Sequence, residues 1–197
     1  MQTDNEAGER RRFFRIDDDI CLEYHLLSDE EYRAAPEMLE QSNHSAFTLS
    51  AEFATLNNNF HPMLNSIKHS SPEIAQYLEL LDNKIDALSQ HLLTDELPCS
   101  ESDMYRANLS ASGIAFNCAE SIAVGTKLKL KLILLPEKIG ILVFGTVKNC
   151  GNNQDNTFHI GVDFEHIRYE DQELMIKHNL NKQMLDLRER AESNQDE

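Results

Sequence analysis

Two short stretches carry the residue types that could do chemistry. The first is Glu9-Arg10-Arg11-Arg12-Phe13-Phe14-Arg15-Ile16, with four arginines inside six residues of a chain whose formal net charge is −16. Arginine presents a planar fork of donors that fits phosphate bidentately, and its flat guanidinium stacks on rings. The same cluster also reads as a solvated tail, or as cations pairing with Asp17, Asp18 and Asp19 just downstream. The second stretch is Asn108-Leu109-Ser110-Ala111-Ser112-Gly113. Asn and Ser offer donors and acceptors to a base edge, and Gly lets a turn bend or a ligand come close, although an ordinary turn uses the same residues.

The elements around these stretches follow from periodicity. Ile20, Leu22, Tyr24 and Leu26 alternate with Cys21, Glu23, His25 and Leu27, which predicts a strand at the exit of the arginine cluster. Ser28-Asp29-Glu30-Glu31 is a capping box opening a short helix that Pro36 limits. Leu49, Phe53, Leu56, Phe60, Met63 and Ile67 form a helical stripe, which Asn57-Asn58-Asn59 and Pro62 are expected to kink or interrupt. Ser71 is the expected N-cap of a new helix with Pro72 in its first turn.

That helix carries Ile74, Leu78, Leu81, Ile85, Leu88 and Leu92 at alternating steps of four and three, a heptad seam. Such a seam covers either its own domain or another helix. Self-association is the favoured reading, because two adjacent apolar stripes exceed what one small β domain can cover. The charges beside the seam, Asp82 and Lys84, are too sparse to specify a partner.

Beyond Pro98 the chain turns to strands: one near Met104, then Gly113–Cys118, Lys127–Leu135, Ile139–Val147 and Phe158–Phe164. With the first strand this makes about six antiparallel strands joined by short connections, the pattern of a closed barrel. The end is a helix with Glu170, Asp171 and Glu173 at its start and Arg188 and Arg190 near its finish, both matched to the macrodipole.

Composition narrows the classes further. The 197 residues contain no apolar run long enough to span a membrane and no secretory leader at the N-terminus, so a cytoplasmic location is expected. The acidic balance argues against a nucleic-acid polymer or an anionic lipid surface as partner. Cys21, Cys99, Cys118 and Cys150 lie far apart without a CxxC pair and are expected to be free, buried thiols. The histidines lack ligand spacing, so no metal is expected, and no nucleophile–base motif or P-loop marks an enzyme.

Taken together, Arg10-Arg11-x-x-x-Arg15 before the first strand, Asn108-x-Ser110-x-x-Gly113 entering a later one, and His159-Ile160-Gly161-Val162-Asp163-Phe164 as a late strand resemble the PilZ domain, the bacterial receptor fold for cyclic di-GMP. The resemblance covers roughly Gly8 to Leu27 and Ser102 to Arg190, and Asn108 stands where Asp is commoner. The helical excess between the two motifs resembles that of a PilZ subgroup whose inserted helices build a tetramer, some of whose members lack the ligand motif.

The resemblance implies the organisation 1–27 arginine loop and first strand, 28–97 inserted helical oligomerisation block, 98–168 remainder of the barrel, and 169–197 C-terminal helix and tail. It implies cyclic di-GMP as ligand without a further cofactor. Arg11 and Arg15 would hold phosphate and guanine with Arg10 assisting, Asn108 and Ser110 would contact a guanine, and Gly113 would keep the turn open. Self-association is expected as a tetramer rather than a dimer, with an unidentified downstream protein. The alternative is a non-binding PilZ-like scaffold or adaptor for motility or pilus machinery.

Overall fold

The computed structural model describes residues 14–97, 99 and 104–193. Arg10, Arg11 and Arg12 lie outside the described residues. Six strands, β1 (Ile16–Leu27), β2 (Met104–Ser110), β3 (Gly113–Cys118), β4 (Lys127–Leu134), β5 (Ile139–Asn152) and β6 (Phe158–His166), close into an antiparallel barrel in the order β1-β2-β3-β6-β5-β4. Four helices, α1 (Asp29–Arg33), α2 (Ala35–Gln41), α3 (Leu49–Ser70) and α4 (Pro72–Glu96), stand between β1 and β2, and α5 (Tyr169–Ser193) follows the barrel.

β1 starts four residues earlier than its apolar alternation suggests, because Asp18 occupies an inward position between Ile16 and Ile20. The strand serves two neighbours: Ile16–Cys21 pair with β2, and Cys21–Leu27 pair with β4. Leu26, expected on the buried face, is exposed. β5 runs beyond Val147, since Asn149 to Asn152 continue pairing with β6, with Asn149 and Asn152 exposed and Cys150 packed against the core. The barrel interior is filled by Ile20, Leu109, Ile114, Phe116, Leu128, Leu130, Leu132, Ile141, Val143 and Ile160, and α5 adds Leu174 and Met175 to it.

A second core lies outside the barrel wall. Ile133, Leu142 and Phe144, with Cys21, are covered by Tyr32, Ala35, Leu39, Phe47 and Leu93 of the helical block. Two details fix the contact. Ser50 Oγ accepts from the Gly140 amide at 2.9 Å. A Cβ at Gly140 would stand 2.3 Å from the Phe47 carbonyl oxygen, so only glycine admits this approach. Tyr32 anchors α1 from the other side by donating to Glu165 at 2.9 Å, with Lys127 over its ring.

The capping box at Ser28 and Glu31 forms as its sequence predicts. The asparagine run does not break α3, which continues for 22 residues with Pro62 inside it. Tertiary bonds offset the weak propensity: Asn57 donates to both oxygens of Asp86 on α4 at 3.3 Å, and Asn58 accepts from Lys177 of α5. Ser71 holds the N-cap position of α4 without a side-chain capping bond.

α4 leaves most of its heptad seam facing outward. Ala75, Ser89 and Leu93 are buried, while Ile74, Leu81, Ile85, Leu88 and Leu92 are exposed and Leu78 is half-buried. Leu56, Phe60 and Met63 of α3 are exposed as well. Phe53, Leu56, Phe60, Leu64 and Ile85 line a groove of about 680 Å³ between the two helices. No helix among the described residues is long and apolar enough to cross a membrane. Cys21 and Cys99, expected as free thiols, form a disulfide, whereas Cys118 and Cys150 are free. The pairing is invisible in sequence because 78 residues separate the two positions.

Candidate functional site

The β1–β2 register brings Ile16, the last residue of the first stretch, against the second stretch at one edge of the barrel. Ile16 stands opposite Leu109, and Asp17 opposite Asn108. One residue beyond the Ile16–Leu109 pair lie Arg15, just before β1, and Ser110, the last residue of β2. Strand alternation puts Ile16 and Leu109 inward and leaves Asp17 and Asn108 on the outer face. Arg15 is exposed, while Asn108 is half-buried and donates its side-chain amide to Asp17 Oδ1 at 2.7 Å.

Ser110 is fully buried. Its hydroxyl donates to the Gly113 carbonyl at 3.1 Å and faces the Ser112 amide at 3.4 Å, bracing the tight β2–β3 connection. Ser112 in turn accepts from the Phe164 amide at 2.9 Å. Gly113 pairs with Asp163 across β6, and a Cβ there would come within 2.6 Å of the Val162 carbonyl oxygen. Glycine is therefore required by strand approach, independently of any ligand. Arg10 and Arg11 precede Arg15 and fall outside the described residues.

The edge is acidic apart from its arginines. Asp17 and Asp163 are exposed, and Asp19 is met by Arg106 at 3.3 Å.

The sequence reading overlooked the role of α5, which grips both motif strands from behind. Asp18 is buried, and its carboxylate lies 2.7 Å from His178 Nε2 and 3.7 Å from Lys182 Nζ. Asn179 donates to the Leu109 carbonyl at 3.3 Å, and Gln172 to the Ala111 carbonyl at 3.0 Å. The residues flanking Asp17 and Asn108 are thus fixed by one helix. The only sequence signal was an aspartate at an inward strand position, which demands a buried partner. Among the described residues, no group of three or more His, Cys, Asp or Glu side chains is arranged to hold a metal ion.

Comparisons with known proteins agree with this architecture. The PilZ domain family model matches residues 92–180. A solved structure of a pathogenic protein from Xanthomonas campestris, a tetrameric PilZ domain self-assembled via an unusual helical bundle, superposes with a TM-score of 0.55 at 13% identity, covering 89% of each chain. The inhibitor of motility from Bacillus subtilis aligns over 43% of this chain and 44% of its own at 24% identity, with a TM-score of 0.37 too low to inform the fold. No curated protein matches the sequence. The stretch that matches the PilZ domain model, residues 92–180, contains β2 to β6, and β1, reached across the helical block, closes their barrel.

Proposed function

We propose that this chain is a cyclic di-GMP receptor whose inserted helices assemble several copies in the cytoplasm, with an effector protein downstream. The observation that supports the reading is the register that pairs Ile16 with Leu109 and Asp17 with Asn108, so that the strand following Arg15 lies against the strand leading to Ser110 although the whole helical block separates them in sequence. Arg15 and Arg11, with Arg10 assisting, hold phosphate and the guanine edge or face. Asn108 meets a guanine from β2. Micromolar affinity requires about −8 kcal/mol. Charge-assisted hydrogen bonds contribute roughly 1.5–3 kcal/mol each, so two or three arginines supply much of it.

Calorimetric titration with cyclic di-GMP tests this. Arg11→Ala and Arg15→Ala each weaken binding at least about tenfold, equivalent to roughly 1.4 kcal/mol, and Ser110→Ala weakens it less. Unchanged affinity in both arginine variants removes the site assignment.

Self-assembly is supported by the outward heptad seam of α4 and by the exposed Leu56, Phe60 and Met63 of α3 beside it. The second reading, a non-binding scaffold for motility or pilus machinery, draws on one observation. The Ser110 hydroxyl and the Asn108 amide already have partners inside the protein. Absence of any binding heat in the wild type favours that reading.

A further inference from the structure

The Cys21–Cys99 bridge sits at the root of the helical block. Its Cα atoms are 5.8 Å apart, within the usual range for a disulfide. Cys21 lies at the point where β1 changes partner, facing Met104 of β2 on one side and Ile133 of β4 on the other. Cys99 lies between the end of α4 and the start of β2. The bridge joins the outgoing strand to the returning chain, and its 78-residue loop contains all of α1 to α4.

The two sulfurs differ in access. Cys21 is fully buried in the second core, whereas Cys99 is exposed. Thiol exchange needs a reachable sulfur, and exposed bridges are the labile ones. The remaining cysteines are placed elsewhere: Cys118 donates to the Glu120 carbonyl at 3.0 Å, and Cys150 stands 3.6 Å from the Ser121 hydroxyl.

We propose that Cys21 and Cys99 form a reversible thiol–disulfide switch that locks the helical block to the barrel, set by the low-molecular-weight thiol and disulfide pool. In the oxidising direction the Cys99 thiolate attacks a small disulfide, forming a mixed disulfide and releasing one small thiolate. The Cys21 thiolate then displaces the second small thiolate, closing the bridge. Two protein thiols are oxidised and one small disulfide is reduced to two thiols. In the reducing direction a small thiolate attacks Cys99 Sγ, Cys21 leaves as thiolate, and a second small thiolate frees Cys99.

With the bridge open, the block is held by its packing on Ile133, Leu142 and Phe144 and by the Ser50–Gly140 bond. With it closed, both ends of the block are covalently fixed, which restricts the unfolded chain and any hinging at the root.

The test uses the full chain equilibrated with reduced glutathione or with oxidised glutathione, then denatured, alkylated and counted by mass, with peptide mapping of the bridge. All four cysteines are alkylated after reduced glutathione, and only Cys118 and Cys150 after oxidised glutathione. The change reverses on returning to the reduced form, and the mapped bridge is Cys21–Cys99. The Tm of the wild type rises by several degrees on oxidation, while that of Cys99→Ser does not. Four alkylated cysteines under both conditions overturn the proposal. So does a bridge that millimolar reduced glutathione leaves intact, or glutathione retained on Cys99 without closure onto Cys21.

Discussion

Asn108 donates its side-chain amide to the carboxylate of Asp17 directly across the β1–β2 pair, at 2.7 Å. An acid thereby orients a candidate ligand-binding amide while adding negative charge beside the site proposed for a phosphate diester. The Asp17→Asn variant keeps an acceptor for Asn108 and removes the charge. Two unit charges about 7 Å apart in water interact by roughly 0.6 kcal/mol, so affinity for cyclic di-GMP rises about two- to threefold at low salt. Calorimetry at two ionic strengths checks this: the gain shrinks as salt increases, because both charges face solvent.

Asp18 and His178 form the buried counterpart on the opposite side of the same strand. Removing one partner leaves a buried carboxylate with Lys182 alone at 3.7 Å. His178→Ala therefore destabilises the fold by about 2–3 kcal/mol. Asp18→Asn in the same chain recovers part of that loss, which gives a favourable coupling energy in a urea double-mutant cycle. Strictly additive losses show that Asp18 and His178 are not energetically coupled.

The outward seam of α4 predicts association. Static light scattering of the wild type gives a mass that is a multiple of the 22.6 kDa chain. Leu81→Asp with Leu88→Asp places two charges on exposed seam positions and returns the monomer without loss of helix by circular dichroism. A monomeric wild type rules out assembly through the seam.

Glu165 sets an acid limit on stability. Burial alone would raise its carboxyl, but bonds from Thr146, Tyr32 and Lys127, with the Lys127 charge, hold it at about 2. A folded value below the unfolded one gives stability that is full above about 4.5 and lost as pH falls toward 2. Thermal unfolding of Glu165→Gln accordingly shows a shallower decline through that interval, with the wild-type advantage largest near neutrality. Parallel curves would contradict the assigned network.

Alternation and turn chemistry made much of this fold legible in the sequence. The Lys127–Leu134 run and the Ser28–Glu31 box could be placed by inspection, and the helical excess between β1 and β2 was visible as a change of period. Two kinds of feature were hidden. The asparagines of α3 looked like breakers because their bonds to Asp86 and Lys177 come from other helices. The Asp18–His178 pair spans 160 residues, so neither side chain announces its partner. At the candidate site, the register of β1 against β2 joins stretches that local patterns could only identify singly. The buried hydroxyl of Ser110 shows that a motif residue can also serve the turn that carries it.

The helical block roofs Ile133, Leu142 and Phe144 on the outside of the barrel. This bears on any attempt to transplant the domain. β1 and β2 are adjacent antiparallel strands, so a short linker could join them and topology would permit excision of α1 to α4. The trimmed barrel would then bare an oily wall across β4 and β5, and would aggregate unless those three positions were recoloured with polar residues. A minimal sensor cut from this chain must be redesigned on its outer surface as well as shortened.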